Sequence, residues 1–209
     1  MGKLILIGGG GHCRSVIDSI DKSLFDDIGI VDNSIPIGEV VNGVPVIGRD
    51  NDLCKLHKQG FQYVFVSVGS IGNTKLREKL VDYSKKIGFQ FINVIDSTAI
   101  LSKHVKLGQG IFIGKGVIIN CNSIIGSYSI INTGAIVEHE CNIGQYVHIA
   151  PGSVLAGGVK IGNHTHIGMN SSLLQNINIG ENCMVGARSV VLSDLSSNQK
   201  IWGVVDERT

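Results

Sequence analysis

Three ionisable side chains, Glu138, His139 and Glu140, stand side by side about two thirds of the way along a chain of 209 residues. An imidazole next to a carboxylate can serve as a general base, because the acidic neighbour fixes the ring and stabilises its protonated form. The same three groups would also be stable on an exposed outer surface with no chemical role. The residue types therefore predict either a base for proton abstraction or a solvated surface, and both interpretations remain open at this point.

A second candidate site lies near the start of the chain, where Gly8–Gly11 precede His12. The apolar run Lys3–Ile7 predicts a strand before these glycines, and the apolar spacing after them predicts a helix. Backbone amides at a helix N-terminus bind anions, which suits a phosphate or pyrophosphate. The match to a dinucleotide fingerprint is partial, because Cys13 takes the place of its third glycine. The segment therefore predicts a phosphate site and does not by itself indicate NAD.

The element that must position Glu138–Glu140 is a six-residue repeat in the second half of the chain. A branched apolar residue recurs at every sixth position, at Leu101, Leu107, Ile113, Ile119, Ile125, Ile131, Val137, Ile143, Ile149, Leu155, Ile161, Ile167, Leu173, Ile179, Val185 and Val191. Neither a helix nor a hairpin has this period, whereas one short strand plus a tight turn does. Three such faces close a triangular coil with the branched residues inside. The spacing predicts a parallel β-helix of about five coils.

The same coil arithmetic concerns two further histidines. His148 and His166 are eighteen residues apart, so we expect them one above the other at a strand spacing of about 4.8 Å. With His164 nearby, the pair could hold a metal such as zinc, or it could be an exposed stack without a ligand. No carboxylate or third histidine stands at an obvious ligand spacing, so we expect no metal.

The first ninety residues predict a small α/β domain. A second strand over Ile28–Val31 ends at Asp32 and completes a βαβ unit. The further predicted elements are a short helix over Asn51–Gln59, a strand over Tyr63–Ser67, a helix capped by Asn73 and stopped by Gly88, and a strand over Phe89–Ile95. We therefore divide the chain into an α/β domain over residues 1–95, a parallel β-helix over 96–193 and a C-terminal cap segment over 194–209.

Composition excludes several classes of function. The 18 basic and 17 acidic residues are nearly balanced, so the chain lacks the field that grips a nucleic-acid backbone. There is no run of eighteen apolar residues and no signal-peptide core at the start, and we expect a cytoplasmic protein without a membrane partner. Five cysteines without a CxxC pair indicate buried thiols. Cys141 in particular is interpreted as a packing residue and not as a nucleophile.

The hexad array, the opening Leu4–His12 (LILIGGGGH) and the segment Ile131–Cys141 (INTGAIVEHEC) together resemble one known family. It is the family of left-handed β-helix sugar acetyltransferases grouped with sialic acid O-acetyltransferase, which includes N-acetyltransferases of UDP-4-amino sugars such as UDP-N-acetylbacillosamine. The resemblance covers nearly the whole chain. The hexads alone are typical of a wider acyltransferase superfamily, whereas the glycine-histidine start combined with Glu-His-Glu is specific.

This resemblance implies a left-handed coil, a homotrimer with active sites at the subunit interfaces, and acetyl-CoA as co-substrate without a metal. It implies acetyl transfer to the amino group of a nucleotide-activated sugar, with a UDP-4-amino-4,6-dideoxy sugar as the leading candidate, in glycan biosynthesis. O-acetylation of sialic acid or a related sugar is the alternative. A catalytically silent or metal-binding β-helix trimer is the third hypothesis.

The family pattern also implies roles for single residues. His139 matches the general base, Glu140 the group that orients it, and Asn132 an asparagine near the reacting thioester. His148 matches a second histidine close to the acceptor sugar. The implied contacts with the pantetheine arm of acetyl-CoA are Gly157, Met169 and Ala187. The implied nucleotide contacts are Gly10, His12, Asp32, Gly69, Asn73 and Arg77.

One stretch departs from the family pattern. Family members commonly end in a Gly-x-Pro-Ala-Lys segment over the coenzyme, whereas Trp202–Asp206 reads WGVVD. The departure concerns how the adenosine end of coenzyme A is held and leaves the site at His139 untouched. Trp202 could stack on a ring or cover the apolar coil end, and we favour the second interpretation.

Overall fold

The computed structural model describes residues 2–206 as two compact units. The first unit comprises Met1–Ser70 and Thr74–Val94, and the second comprises Ile71–Asn73 and Ile95–Thr209. Residue 1 and the last three residues of the predicted cap segment, 207–209, lie outside the described residues. Between residues 2 and 206, none of the helices combines the length and the apolar character needed to span a bilayer.

The first unit is a six-stranded sheet with helices between its strands. Its elements are β1 (Lys3–Ile7), α1 (Gly11–Ser19), β2 (Asp27–Val31), β3 (Val40–Val41), β4 (Val44–Gly48), α2 (Leu53–Lys58), β5 (Phe61–Val66), α3 (Lys75–Ile87) and β6 (Gln90–Phe91), with 3-10 turns at Lys22–Leu24 and Asp50–Asp52. The sheet order is β3-β4-β2-β1-β5-β6, and within the described part of this unit the β3–β4 pair is antiparallel and the others are parallel. Four residues of β1 are buried, as expected for a central parallel strand covered on both sides.

The sheet order determines where this unit can bind a ligand. β1 lies between β2 and β5, so the chain leaves β1 toward one side of the sheet and later returns to the other. At such a switch point the loops that follow the strands diverge, which opens a crevice at their carboxyl ends. The residues that follow β1, β2 and β5 therefore border the natural binding crevice of the unit.

Two element predictions for the first unit need correction. The N-cap of α3 is Thr74 and not Asn73, and its hydroxyl bonds to the carboxylate of Glu78 one turn later. Gly88 does end the helix, in the left-handed conformation at φ 102° that glycine adopts without steric cost. The predicted strand Phe89–Ile95 is two short strands, because its first part pairs with β5 and its last part begins the solenoid.

The second unit is a parallel β-helix with three faces, which nineteen two-residue strands form within the residues up to 206. The first face contains β7 (Val94–Ile95), β10 (Phe112–Ile113), β13 (Ile130–Ile131), β16 (His148–Ile149), β19 (His166–Ile167), β22 (Met184–Val185) and β24 (Lys200–Ile201). The second face contains β8 (Ile100–Leu101), β11 (Ile118–Ile119), β14 (Ile136–Val137), β17 (Val154–Leu155), β20 (Ser172–Leu173), β23 (Val190–Val191) and β25 (Val204–Val205). The third face contains β9 (Lys106–Leu107), β12 (Ile124–Ile125), β15 (Asn142–Ile143), β18 (Lys160–Ile161) and β21 (Asn178–Ile179).

The predicted inward residues form the core of this solenoid. From Ile113 to Val191 every one of them is at most 3% exposed, while Leu101 and Leu107 in the first coil are partly buried. Small residues follow them because adjacent coils approach closely at the corners. A Cβ on Gly126 would lie 2.4 Å from the carbonyl group of Gly144 in the next coil, so this corner admits only glycine.

The solenoid extends further than the hexad count predicts. The strands β24 and β25 continue the first and second faces inside the segment that we expected to be a cap. Met184 pairs with Lys200 and Val190 with Val204, spacings of sixteen and fourteen residues. Because the last partial coil is shorter than eighteen residues, the period-six pattern stops before the structure does.

A matched pair of substitutions tests the inward prediction. Ile125 is fully buried, whereas its neighbour Ile124 points outward and is 41% exposed. Ile125→Ala should lower the free energy of unfolding by about 2–5 kcal/mol, because it leaves a cavity in a close-packed core. Ile124→Ala should change it by less than about 1 kcal/mol. Urea unfolding at one protein concentration measures both values, and equal losses would contradict the assignment of the two side chains.

Candidate functional site

The turn that carries Glu138, His139 and Glu140 follows β14 on the second face and is fixed by the coil before it. The buried hydroxyl of Ser123 donates to the carbonyl oxygen of Glu138 at 2.7 Å and accepts from the amide of Cys141 at 3.1 Å. The amide of Glu140 donates to the carbonyl oxygen of Cys121 at 2.9 Å. Both ends of the turn are therefore bonded to a rigid neighbour, which holds the backbone of His139 in one place.

His139 and Glu140 form a pair on the outside of this turn. The Nδ1 atom of His139 lies 3.2 Å from Oε2 of Glu140, and the two side chains are 55% and 66% exposed. A carboxylate at Nδ1 favours the tautomer with the proton on Nδ1, which leaves the lone pair of Nε2 to accept a proton. The arrangement is that of an oriented base open to an incoming molecule.

Two backbone features hold the ring of His139 in position. A Cβ on Gly157, in the next coil, would lie 2.5 Å from Cε1 and 2.6 Å from Nε2 of His139, so the ring rests where only glycine leaves room. Glu140 has a φ of 62°, in the left-handed region that is unfavourable for residues with a side chain. The equivalent position of the preceding turn also has a positive φ and is a glycine, Gly134. The turn thus keeps a carboxylate beside the imidazole at a position where glycine would be less strained.

A second group of predicted residues lies on the first face. The Nδ2 atom of Asn132 is 3.3 Å from Nε2 of His148, and Oδ1 of Asn132 accepts from the amide of Thr133 at 2.8 Å. His148 and His166 pair in register, with ring centroids 4.8 Å apart and planes at 81°. The predicted spacing of the two histidines is confirmed. His166 is 7% exposed, and burial lowers the pKa of its imidazole.

No group of three or more potential ligands (His, Cys, Asp or Glu) is placed to hold a metal ion within residues 2–206.

Cys141 is buried, and its Sγ atom donates to the carbonyl oxygen of Ala156 at 3.3 Å. Burial raises the pKa of this thiol, which disfavours the thiolate that a nucleophile needs. Its surroundings therefore fit packing.

The predicted coenzyme contacts divide between two edges of the solenoid. We call the corner that follows the first face the first edge and the corner that follows the second face the second edge. Met169 and Ala187 lie on the first edge in consecutive coils, as does Asn132, whereas His139 and Gly157 lie on the second edge. The width of the second face separates the two sets, so one chain does not bring Asn132 and His139 together.

Trp202 lies at the C-terminal end of the first edge. A Cβ on Gly186 would lie 1.9 Å from Cδ1 of Trp202, so the indole packs directly on the last glycine before Ala187. The residue is nevertheless 63% exposed. Trp202 therefore packs on one corner of the solenoid while most of its surface faces outward, and cover of the apolar coil end stays a prediction.

In the first unit, Asp32 joins the ends of two central strands. Its Oδ2 atom accepts from the amide of Gly9 at 2.7 Å, and Oδ1 accepts from the amide and hydroxyl of Ser34 at 2.8 and 2.7 Å and from the amide of Ile35 at 3.0 Å. Partial burial acts to raise the pKa of Asp32, but these hydrogen bonds together lower it to about 2. The carboxylate is therefore ionised and fixed beside the glycine loop.

The glycine loop leaves the N-terminus of α1 open. Gly10 is the N-cap, no acidic residue lies in the first turn, and a Cβ on Gly10 or Gly11 would meet no atom within 4 Å. The amides of this turn can therefore receive an anion. Gly69, which follows β5, lies beside His12, since a Cβ on this glycine would be 3.6 Å from Cβ of the histidine.

Two predicted nucleotide contacts lie elsewhere. Arg77 is 2% exposed, and its Nη1 atom donates to the carbonyl oxygens of Val66 and Val68 at 2.8 and 2.6 Å, which stabilises the end of β5. Asn73 belongs to the short segment Ile71–Asn73 that groups with the second unit. The structure thus brings Gly10, His12, Asp32 and Gly69 to the strand ends, with Arg77 as a buried support.

Two adjoining clefts at the strand ends contain residues that the sequence analysis missed. The smaller cleft, about 180 Å³, is bordered by Gly8, Asp32 and Val68, which follow β1, β2 and β5. The larger, about 520 Å³, is lined by Asn33, Asp50, Asn51, Lys79, Leu80 and Tyr83. Asn33 and Asp50 follow β2 and β4 within two residues, and polar residues just after parallel strands are the signal that could have identified them.

Two known protein families match parts of this chain. The family described as PglD N-terminal domain matches residues 3–84. The family described as bacterial transferase hexapeptide (six repeats) matches residues 140–175 and 158–193. An uncharacterised protein, L142, of Acanthamoeba polyphaga mimivirus is 33% identical over 127 residues, which is 60% of this chain. The chain spans about a quarter (24%) of the length of that viral relative.

Two solved structures are similar over nearly their whole length. A histidine-to-asparagine variant of perosamine N-acetyltransferase from Caulobacter crescentus, in complex with CoA and GDP-perosamine, is 38% identical with a TM-score of 0.90, covering 97% of this chain and 94% of that one. The acetyltransferase domain of PglB from Neisseria gonorrhoeae, in complex with acetyl coenzyme A, is 30% identical with a TM-score of 0.88, covering 96% of each chain.

The buried His166 makes stability depend on pH. Its pKa in the folded chain lies below the ordinary value of 6.5, so below about pH 6.5 the unfolded chain binds more protons than the folded chain. The free energy of unfolding should therefore fall as the pH drops from 7 toward 5, and His166→Gln should reduce this fall. Urea unfolding across that range measures the slope. The exposed His104→Gln serves as control, and equal slopes for both variants would contradict the assignment.

Proposed function

The chain belongs to the family of left-handed β-helix sugar acetyltransferases, and from this premise we propose that it transfers the acetyl group of acetyl-CoA to the amino group of a nucleotide-activated 4-amino sugar. The observation that carries the proposal is the His139–Glu140 pair seated on Gly157. The similar perosamine N-acetyltransferase was solved with CoA and a nucleotide-linked amino sugar, which supports this substrate class.

In the proposed mechanism His139 accepts a proton at Nε2 from the sugar amino group as its nitrogen attacks the thioester carbon. His139 then returns this proton to the sulfur as the carbon–sulfur bond breaks, so that an amide and free CoA are formed. Glu140 keeps the ring in the required tautomer and stabilises its protonated form. A fixed amide or side-chain donor on the facing edge stabilises the charge on the carbonyl oxygen, and Asn132 is our candidate for that side-chain donor.

The remaining predicted residues receive roles that follow their positions. His148, held by Asn132, is proposed to contact the acceptor sugar, and Met169 and Ala187 to border the pantetheine arm along the first edge. In the first unit, Gly10, His12, Asp32 and Gly69 are proposed to contact the nucleotide. We assign Arg77 to support of the β5 end, because its buried guanidinium already donates to two carbonyl groups. Asn73 stays a prediction.

We further propose a homotrimer with its active sites between subunits. The outward residues of the second face are almost all aliphatic, namely Ile100, Ile118, Ile136, Val154, Ser172, Val190 and Val204. Those of the third face are mainly polar, namely Lys106, Ile124, Asn142, Lys160 and Asn178. Ile100 and Val204 are 64% and 71% exposed, and an apolar strip of this kind is typical of a face that another chain covers.

The two edges give this assembly its geometry. The second face lies between the first edge, with Asn132, and the second edge, with His139. If the second faces of all subunits turn toward one axis, the first edge of each chain meets the second edge of the next. Such head-to-tail contacts close into a ring, and a ring of three suits a three-sided prism. Each site would then combine His139 of one chain with Asn132 of its neighbour.

We place the protein in the cytoplasm. Five cysteines are free thiols, three of them buried, which suits a reducing compartment.

Neither the proposed chemistry nor the residues around His139 call for a metal, since a base, a positioned amine and a fixed donor are sufficient for acyl transfer from a thioester.

An acetylation assay tests the proposed activity. We expect acetyl transfer from acetyl-CoA to UDP- or GDP-linked 4-amino sugars and no transfer to free sialic acid. Mass spectrometry of the products measures the transfer. His139→Asn should lower kcat by about a hundredfold or more, because it removes the general base. Transfer to sialic acid alone, or near-normal turnover by His139→Asn at neutral pH, would contradict the proposal.

Gly157→Ala tests whether the position of the His139 ring, and not only its presence, is needed for activity. The added methyl group would displace the ring of His139 without removing it, and the ring can turn aside without disturbing the core. This variant should keep the thermal stability of the wild type and lose most of its activity. Full activity would show that the seat on Gly157 is irrelevant to the reaction.

A charge on the second face tests the trimer. Val154 is 37% exposed at the centre of this face, and Val154→Lys should dissociate the trimer because it would bury an unpaired ammonium group. Asn142→Lys on the third face should leave the trimer intact. Light scattering after size-exclusion chromatography gives the mass of each variant. A trimeric Val154→Lys protein would exclude this face as the interface.

A further inference from the structure

We propose that the larger cleft of the first unit binds the base of the nucleotide and that this base is guanine, recognised by the carboxylate of Asp50. This inference rests on the proposed function, because it names the nucleotide that the same site would take. It assigns a specificity-determining residue that is not among the predicted contacts.

The positions of the clefts place a base beside Asp50. The glycine loop follows β1, Asp32 follows β2 and Asp50 lies two residues after β4, and these strands are neighbours in the order β1, β2, β4. A nucleotide whose phosphates lie at the glycine loop and whose ribose lies near Asp32 would extend toward the end of β4. The larger cleft adjoins the smaller one there, and both share Asn33, Asp50 and Leu80.

The carboxylate of Asp50 is oriented to accept hydrogen bonds from a ligand. Nδ2 of Asn33 donates to Oδ2 of Asp50 at 2.7 Å, and the amide of Asp50 donates to Oδ1 of Asn33 at 3.1 Å. This reciprocal pair uses one carboxylate oxygen and fixes the plane of the group. Oδ1 and the second lone pair of Oδ2 remain to accept from a ligand, since a carboxylate has about four acceptor positions and no donor.

The chemistry of the base edges then selects guanine. Guanine presents two adjacent donors, N1–H and the N2 amino group, that match the two oxygens of a carboxylate. Uracil presents one N–H between two carbonyl oxygens, so it would place an oxygen against the carboxylate, and adenine presents a single amino group beside an acceptor. Asp50 is only partly buried in the free chain, but a base seated in the cleft would cover its carboxylate, so a base without the matching donors would leave an oxygen unpaired. The two charge-assisted bonds to guanine therefore determine selectivity.

The other walls of the cleft suit the rest of a purine. Leu80 is buried and offers an apolar floor, and Tyr83 is 39% exposed and presents its ring at the cleft. Aromatic rings stack on any base, so Tyr83 contributes affinity without selectivity. Lys79, also in α3, supplies an ammonium donor of the kind that binds the O6 atom of guanine.

Calorimetric titration of the full chain with GDP, IDP, UDP and ADP tests this assignment without requiring turnover. IDP lacks only the N2 amino group of GDP, so it isolates one of the two proposed hydrogen bonds. We expect GDP to bind about tenfold or more tightly than IDP, UDP and ADP. In the Asp50→Asn variant, the affinity for GDP should fall by about tenfold while the affinity for UDP changes little. The difference in affinity between GDP and IDP should disappear.

Two further variants separate recognition from structure. Asp82→Asn removes an exposed carboxylate of α3 that lies outside both clefts and should leave every affinity unchanged. Tyr83→Leu should lower the affinities for GDP and UDP by the same factor. Equal affinity of the wild type for GDP and UDP, or an Asp50→Asn variant that weakens all nucleotides equally, would overturn the assignment of guanine.

The acetylation assay makes the two proposals fail separately. Acetylation of UDP-linked but not GDP-linked amino sugars would overturn the base assignment and leave the proposed function in place. Selective GDP binding through Asp50 without acetylation of any nucleotide sugar would overturn the proposed function and leave the base assignment in place.

Discussion

Backbone hydrogen bonds between neighbouring coils are the interaction on which the rest of the second unit depends. Up to Val191 the two-residue strands pair in parallel at a spacing of eighteen residues, as Ile118 pairs with Ile136 and Ile131 with Ile149. A single pair of this length would be unstable alone. Stacked into three ladders around a close-packed aliphatic core, the pairs become a rigid prism. The precise seat of His139 on Gly157 exists because this ladder sets the distance between consecutive corners.

A consequence of the ladder is that few positions are free to vary. The inward residue of each strand is committed to the core, so polar side chains are left to the turns and to outward strand positions such as His148. Several turns place a side chain in the left-handed region where glycine or asparagine is less strained, and Glu140 does so next to the candidate base, His139. Strain at this turn is tolerated because Ser123 and the backbone of Cys121 hold both of its ends.

The sequence predicts the solenoid well because its signal is purely local and periodic. The identity of an inward residue follows from counting by six, and so does the register of His148 with His166. The count fails after Val191, where coils of sixteen and fourteen residues replace the regular eighteen. The candidate base at His139 could be found because three ionisable residues stand together in one turn between apolar repeat positions. The neighbours that fix it belong to other coils and are recognised only once the coil length is known.

The first unit was less predictable for a different reason. Its strands are short and apolar, and their order in the sheet is not written in any one segment of the chain. Asn33 and Asp50 are seventeen residues apart and meet only because β2 and β4 are adjacent. Arg77 shows the converse difficulty, since a cationic residue in a candidate phosphate domain invites a ligand role, yet burial commits it to two carbonyl groups of its own chain.

The fixed length of the coil also restricts how relatives of this chain can differ in length. An insertion of one residue within a strand would turn the apolar residue that follows it out of the core, because successive side chains point to opposite sides. Six inserted residues would preserve the core but rotate everything downstream by one face, so that Met169 and Ala187 would leave the edge that carries Asn132. Only whole coils can be gained or lost without moving a corner. Among descendants of such a prism, length should therefore change in steps of eighteen residues, or in loops that bulge from a corner, while the spacing from Asn132 to His139 stays constant.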